Sequence, residues 1–174
     1  MILGAILAGG QSSRFGSDKA IALLEGRTLI EHVVGAISGE VDGMIVCGRA
    51  YPRLQAVPDR PRSALGPLGG INAALRYSAD NGFAKVLTVP CDTPNIGSDL
   101  LAALISAPAS AYLASLPVLA CWPSNLADRL DAYLDQTADR SVRGWARTVG
   151  ATALDHPAPV NLNSRNDLDL LSRG

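Results

Sequence analysis

Two cations sit in one glycine-containing loop near the start of the chain, Leu7-Ala8-Gly9-Gly10-Gln11-Ser12-Ser13-Arg14-Phe15-Gly16-Ser17-Asp18-Lys19. Gly9 and Gly10 let the backbone come close to a ligand and aim its N–H groups at anionic oxygens. Arg14 can grip phosphate oxygens with two bonds, and Lys19 adds a point charge. Together they describe a cradle for a triphosphate. The spacing from Gly10 to Gly16, and Ala20 after Lys19, rule out a Walker A loop. G-x-G-x-x-G is absent, which rules out the dinucleotide fingerprint. The plain alternative is a solvated surface loop that holds two cations.

Four further segments carry polar chemistry. Pro90-Cys91-Asp92-Thr93-Pro94 follows a hydrophobic run. Facing a triphosphate, Asp92 is placed to hold magnesium, which screens phosphate charge; alone, it can simply cap the next turn. Asp59 can accept from the N1 and N2 edge of guanine or from ribose hydroxyls, or it can be a solvated loop carboxylate. Gly66-Pro67-Leu68-Gly69-Gly70 precedes a helical pattern. Gly66 and Gly70 there allow close ligand approach at a helix start, or a tight turn packed on a sheet. Arg60 and Arg62 lie just upstream and can meet an anionic acceptor. Asn161 and Asn163, two apart, project to one face of an extended segment. They can bind a polar ligand, or Asn163 can cap a last helix.

Other reactive types lead nowhere definite. His32 and His156 share no metal-ligand spacing. Cys47, Cys91 and Cys121 are odd in number with no C-x-x-C, so free thiols are expected. Cys91 has no histidine near it in sequence to act as a base. Trp122 and Trp145 read as core residues rather than base-stacking platforms.

An alternation of strands and helices must position these groups. Strands are expected at 1–7, 43–47, 54–57, 85–89, 111–115, 118–122 and 151–154, with 111–115 and 118–122 paired antiparallel. Thr28 and Glu31 fit a capping box, followed by the stripe Leu29, Ile30, Val33, Val34 and Ile37. Further helices are expected at 71–79, after a Ser98 cap, after a Ser124 cap, at 141–149 and at 164–171. This order implies an α/β fold, a mostly parallel central sheet with helices on both faces. Ligands in such sheets bind at the carboxyl ends of the strands, so the loops after 1–7, 54–57 and 85–89 should converge on one site.

The 174 residues suit a single domain, 1–174, and 48% are apolar. A net charge of −1 argues against a nucleic-acid binder. No apolar run is long enough to cross a bilayer and no basic leader precedes the first run, so a cytoplasmic protein without a membrane partner is expected.

The ordered set of motifs resembles the molybdenum cofactor guanylyltransferase family along nearly the whole chain. Leu7 to Lys19 matches its L-A-G-G-x-S-x-R-x-G-x-D-K signature. Gly66-Pro67-Leu68-Gly69-Gly70-Ile71, Pro90 to Pro94, and Asn161-Leu162-Asn163 with Asp167 and Leu168 match further family motifs. The resemblance implies a Rossmann-like nucleotidyltransferase fold, three layers α/β/α. It implies magnesium as cofactor and GTP and molybdenum–molybdopterin as substrates, with the product molybdopterin guanine dinucleotide and pyrophosphate. Leu7, Ala8, Gly9 and Gly10 would contact the nucleotide. Arg14 and Lys19 would hold the triphosphate, Asp59, Gly66 and Gly70 would line the nucleotide site, and Asp92 would hold the metal. Asn161 and Asn163 would meet the acceptor. Transient contact with molybdoenzymes or other cofactor-biosynthesis proteins is a further expectation.

The sequence departs from the family at four places. Cys47 stands where a nucleotide-contacting asparagine is often found, Ser164-Arg165 replaces Thr-Pro, the region from Pro108 to Pro117 is shortened, and Leu116 replaces a polar residue. Three rival readings compete. Cytidylyl relatives tend to have L-A-A-G in the first loop, whereas Gly9-Gly10 favours the larger purine. Sugar-phosphate nucleotidyltransferases are usually longer and often have Pro before the lysine. A non-catalytic GTP-binding partner has no need of Asp92 at the α-phosphate.

Overall fold

The run of apolar residues at the start of the chain becomes an interior strand of a seven-stranded sheet. The computed structural model describes residues 1–9, 22–160 and 162. Gly10, Arg14, Lys19, Asn161, Asn163 and the helix expected at 164–171 lie outside the described residues.

In chain order, β1 (Ile2–Leu7) is followed by a small hairpin, β2 (Leu23–Leu24) and β3 (Arg27–Thr28). Helix α1 (Leu29–Ile37), β4 (Gly43–Cys47), β5 (Gln55–Val57), α2 (Pro67–Asp80) and β6 (Lys85–Pro90) come next. Then follow α3 (Ser98–Ser106), β7 (Ala111–Leu113), β8 (Leu116–Pro123), a 3-10 turn (Ser124–Leu126), α4 (Ala127–Gln136), α5 (Val142–Val149) and β9 (Thr152–Leu154).

The sheet order is β5-β4-β1-β6-β8-β7-β9. Strands β5, β4, β1 and β6 are mutually parallel, and β7 pairs parallel with β9. Only β8 runs against its neighbours, which gives the antiparallel pairing expected with β7. Period-two alternation sends Leu3 and Ala5 to one face of β1 and Ile6 to the other. The first face packs against Leu68, Ile71 and Leu75 of α2, Leu130 and Leu134 of α4, and Trp145 of α5. The second packs against Ile30, Val33 and Ile37 of α1 and Leu100, Leu101 and Leu104 of α3. The expected three layers are therefore present.

Local chemistry explains the element ends, including those that differ from expectation. The Thr28 capping box forms: Thr28 Oγ1 accepts from the Glu31 N–H at 3.2 Å and the Thr28 N–H donates to Glu31 Oε2 at 2.7 Å. Helix α2 begins at Pro67 rather than Ile71, because a proline in the first turn has no N–H to leave unsatisfied and its φ is preset for helix. Gly69 and Gly70 thus belong to the helix, not to the loop before it. Ser98 is not a cap; Gly97 holds that position. Nor does Ser124 cap α4, since its hydroxyl bonds that of Ser78 at 2.5 Å and a 3-10 turn intervenes. The hairpin β2–β3 was not expected. It turns on Glu25 and Gly26, with φ of 52° and 78°, and its strands are too short for a period to show.

Candidate functional site

The chain leaves β1 toward α1 and β4 on one side, and leaves β6 toward α3 and β7 on the other. The carboxyl ends of β1 and β6 therefore flank the point where the winding reverses, where open α/β sheets bind ligands. Backbone bonds lock the strand ends into one platform. Ala8 N–H donates to Cys47 C=O at 3.0 Å, Gly48 N–H to Val57 C=O at 3.0 Å and Cys91 N–H to Leu7 C=O at 3.1 Å. Leu7, Ala8, Gly9, Asp59 and Asp92 are thereby brought to the same end of the sheet.

Beside this platform lies a cavity of about 380 Å³ lined by Gly48, Arg49, Ala50, Ala56, Val57, Pro58, Asp59 and Ser63. That volume suits a small organic ligand. Its floor is apolar, from Ala56 and Val57, and its main charged acceptor is Asp59. Burial pushes the Asp59 carboxyl above the ordinary aspartate range. A half-buried carboxylate of this kind gains from a ligand that donates hydrogen bonds to it.

Glycines set how closely the elements around Asp59 can approach. Gly48 has φ +86°, and a Cβ there would stand 2.4 Å from Gly9 Cα. Ends of β1 and β4 could not meet this way with side chains at both places. A Cβ on Gly69 would be 3.2 Å from the Asp59 Cβ, and one on Gly70 would be 3.1 Å from Leu7 Cδ2 and 3.3 Å from Cys47 Cβ. Gly69 and Gly70 are buried, so they let the start of α2 close onto Asp59 and the strand ends. Gly66, at φ +61°, meets nothing where its Cβ would be; the turn, not crowding, asks for glycine there.

Cys47 is buried, and burial, with the nearby Asp59 charge, pushes its thiol up to about 12. Its sulfur belongs to the core beneath α2, not to a ligand surface. Cys121 is likewise buried, its thiol raised to about 11 by burial. Cys47, Cys91 and Cys121 are free thiols, as expected.

Asp92 follows β6, and its carbonyl accepts from the Leu162 N–H at 3.0 Å. Leu162 is fully buried against Leu24 and Leu29. This anchor, unnoticed in the sequence between Asn161 and Asn163, ties the last described segment to the end of β6. The two leucines it meets come from the unexpected hairpin and the start of α1. Among the described residues no three His, Cys, Asp or Glu side chains converge as a metal cage. That donor set still fits magnesium, which keeps several waters and is commonly held by one or two carboxylates plus substrate phosphates.

The other singled-out residues have partners within the fold. His32 Nε2 meets Leu24 C=O at 2.8 Å, and His156 Nε2 lies 3.1 Å from Asp99 Oδ2. Trp122 and Trp145 are core residues with ring centroids 6.4 Å apart. Arg60 is ion-paired with Asp131 at 3.8 Å. Gly48, Arg49 and Ser63 were not read from the sequence as site residues, although a glycine ending a strand before an arginine was a usable signal.

Comparison with known proteins accords with this geometry. Residues 4–153 match the family described as the MobA-like NTP transferase domain. The molybdenum cofactor guanylyltransferase of Acidiphilium cryptum is 35% identical, covering 97% of this chain and 93% of that relative. The molybdenum cofactor guanylyltransferase of Rhizobium meliloti is 38% identical, covering 84% of this chain and 75% of that relative. In fold, the chain is similar to the crystal structure of molybdopterin-guanine dinucleotide biosynthesis protein A from Archaeoglobus fulgidus. The TM-score is 0.74 with 21% identity, over 98% of this chain and 97% of that one.

Proposed function

We propose a guanylyl-transfer function on the premise that this chain belongs to the molybdenum cofactor guanylyltransferase family. It transfers GMP from GTP to molybdenum–molybdopterin, forming the guanine dinucleotide cofactor. The observation that carries the reading is that Asp59 and Asp92 both follow parallel strands at one end of the sheet, with Asp59 lining a cavity of about 380 Å³.

In this reading Asp59 accepts from the N1–H and exocyclic amine of guanine, with the base over Ala56 and Val57. Leu7, Ala8, Gly9 and Gly10 approach the nucleotide through backbone, and Arg14 and Lys19 hold the triphosphate. Gly66 and Gly70 shape the turn and helix start that close on Asp59. Asp92 holds magnesium, which when bound neutralises phosphate charge. A terminal phosphate oxygen of molybdopterin attacks the α-phosphorus, the bond to the β-phosphate oxygen breaks, and pyrophosphate leaves. The attacking phosphate is already an anion, so no protein base is needed and catalysis rests on alignment and charge stabilisation. Asn161 and Asn163 orient the acceptor; Leu162, between them in sequence, donates its N–H to the Asp92 carbonyl. The reaction takes place in the cytoplasm within a single domain, 1–174, with transient contact to partners that receive the cofactor. No helix among the described residues is long and apolar enough to cross a membrane.

The test is calorimetric titration with GTP, CTP and ATP, each with magnesium, followed by pyrophosphate release with acceptor present. A preference for GTP and acceptor-dependent release are expected. A preference for CTP would assign the chain to cytidylyl transfer, and binding without release would reduce it to a GTP-binding partner.

A further inference from the structure

The loop that carries Asp59 has little packing of its own. Pro58 and residues 60–64 are all exposed. The ties that remain are to α2, through Gly69, and to one residue outside the cavity.

That residue is Asp131 on α4. Its Oδ1 accepts from Asn72 Nδ2 at 2.7 Å, and its Oδ2 accepts from Arg76 Nη2 at 2.9 Å. The same Oδ2 lies 3.8 Å from Arg60 Nη2. Asn72 and Arg76 belong to α2, whose first turn holds Gly69 and Gly70 against Asp59. Arg60 follows Asp59 directly in the chain, and its N–H donates to Gly69 C=O at 3.1 Å. One carboxylate thus meets side chains from both segments that flank Asp59. Asn72 is fully buried, and its Nδ2 is spent on Asp131. The two cations and the Asn72 amide also hold the Asp131 carboxyl below its ordinary range, against the opposing effect of burial.

We propose that Asp131 is a positioning residue for purine recognition: it fixes the loop after β5 against α2 so that Asp59 meets the two donors of a guanine edge. This rests on the reading of Asp59 as the base-contacting carboxylate. Loss of Asp131 frees Arg60 and Asn72 but leaves α2 and α4 docked. Arg76 retains Asp128 at 2.5 Å, and Leu68, Ile71, Leu75, Leu130 and Leu134 remain packed. The neighbouring Asp128 touches Arg76 but neither Arg60 nor Asn72, so it serves as a matched control.

The experiment compares affinities of the full chain for GTP and for ITP, which lacks the 2-amino group, each with magnesium. Asp131→Ala is expected to weaken GTP about fivefold and ITP less than twofold, the scale of one misaligned charged hydrogen bond. The GTP/ITP preference shrinks accordingly. Asp131→Glu should recover part of it, and Asp128→Ala should leave it unchanged. Asp131→Asn, which keeps a carbonyl for Asn72 but loses the charge facing Arg60, is the alternative if the alanine variant does not fold. If Asp59→Ala abolishes the preference while the alanine and asparagine variants at 131 retain it and only lower Tm, Asp131 is merely a staple between helices and the proposal fails. If Asp59→Ala leaves the preference intact, the reading of Asp59 fails, and the proposal with it.

Discussion

The two halves of the sheet are built to different specifications. In the parallel half, β5-β4-β1-β6, strands end in glycines and carboxylates: Gly9, Gly48, Asp59 and Asp92. In the other half, β8-β7-β9, the interior is filled with bulk. Trp122 is fully buried, donates its Nε1–H to Thr88 Oγ1 at 3.2 Å and stands 6.4 Å from Trp145. Tyr133 then meets Trp145 edge-on at 5.5 Å. The first half gives up side-chain volume at its ends to let backbone and ligand approach. The second supplies apolar burial that such an end cannot. Parallel strands with a reversal of winding leave a crevice, while the antiparallel β8 closes the sheet against a filled core.

If this division is right, damage to the two halves should separate stability from chemistry. The largest effect is expected in the packed half. Trp122→Ala should cost about 3–5 kcal/mol of stability and lower Tm by about 10 °C, read by thermal unfolding. GTP affinity of the folded fraction should not change. A selective loss of GTP affinity there would break the comparison. At the other end, Asp92→Ala should lower kcat by about 10²–10³-fold with a nearly normal Tm. A near-normal rate would remove Asp92 from the mechanism.

Gly48→Ala tests whether glycine is needed where β1 and β4 meet. The alanine must adopt φ +86° with a Cβ 2.4 Å from Gly9 Cα. A loss of about 2–3 kcal/mol in denaturant titration is expected, together with weaker GTP binding. Asp59→Asn sharpens the contrast further, because stability and function should move in opposite directions. Burial raises the folded-state pKa of Asp59, so its ionisation costs stability as pH rises through that value. The asparagine variant should gain about 1–2 °C in Tm at neutral pH, a gain that vanishes in acid. Its GTP affinity should fall about tenfold. In the parent, GTP affinity should decline as pH drops through a value above the usual aspartate range, because protonated Asp59 loses an acceptor. The smallest effect is on the thiols. With Cys47 and Cys121 buried and raised to about 12 and 11, neither should react with a thiol reagent at pH 8 until the protein is denatured.

Much of this division was legible in the residues. Short runs rich in apolar and β-branched residues marked β1, β4 and β6, and the Thr28–Glu31 pair marked the start of α1 to the residue. The glycine loop and the aspartates at the strand ends pointed to phosphate and metal chemistry before any coordinate was known. Two elements that escaped had no local signature, a hairpin of two-residue strands and a serine drawn from its cap to Ser78; the early start of α2 did have one, Pro67.

By itself, then, the sequence determined the strand–helix alternation, the capping box, the family and the residue types of the site, because these rest on short-range periodicity and local chemistry. Only the tertiary structure decided that Gly48 and Gly9 touch, that Gly69 and Gly70 press on Asp59, that Cys47 faces the core, and that Asp131 reaches across from α4 to Arg60. Those relations join residues from about ten to seventy positions apart. They depend on how layers pack, and packing is a property of surfaces in contact that no window of neighbouring residues contains.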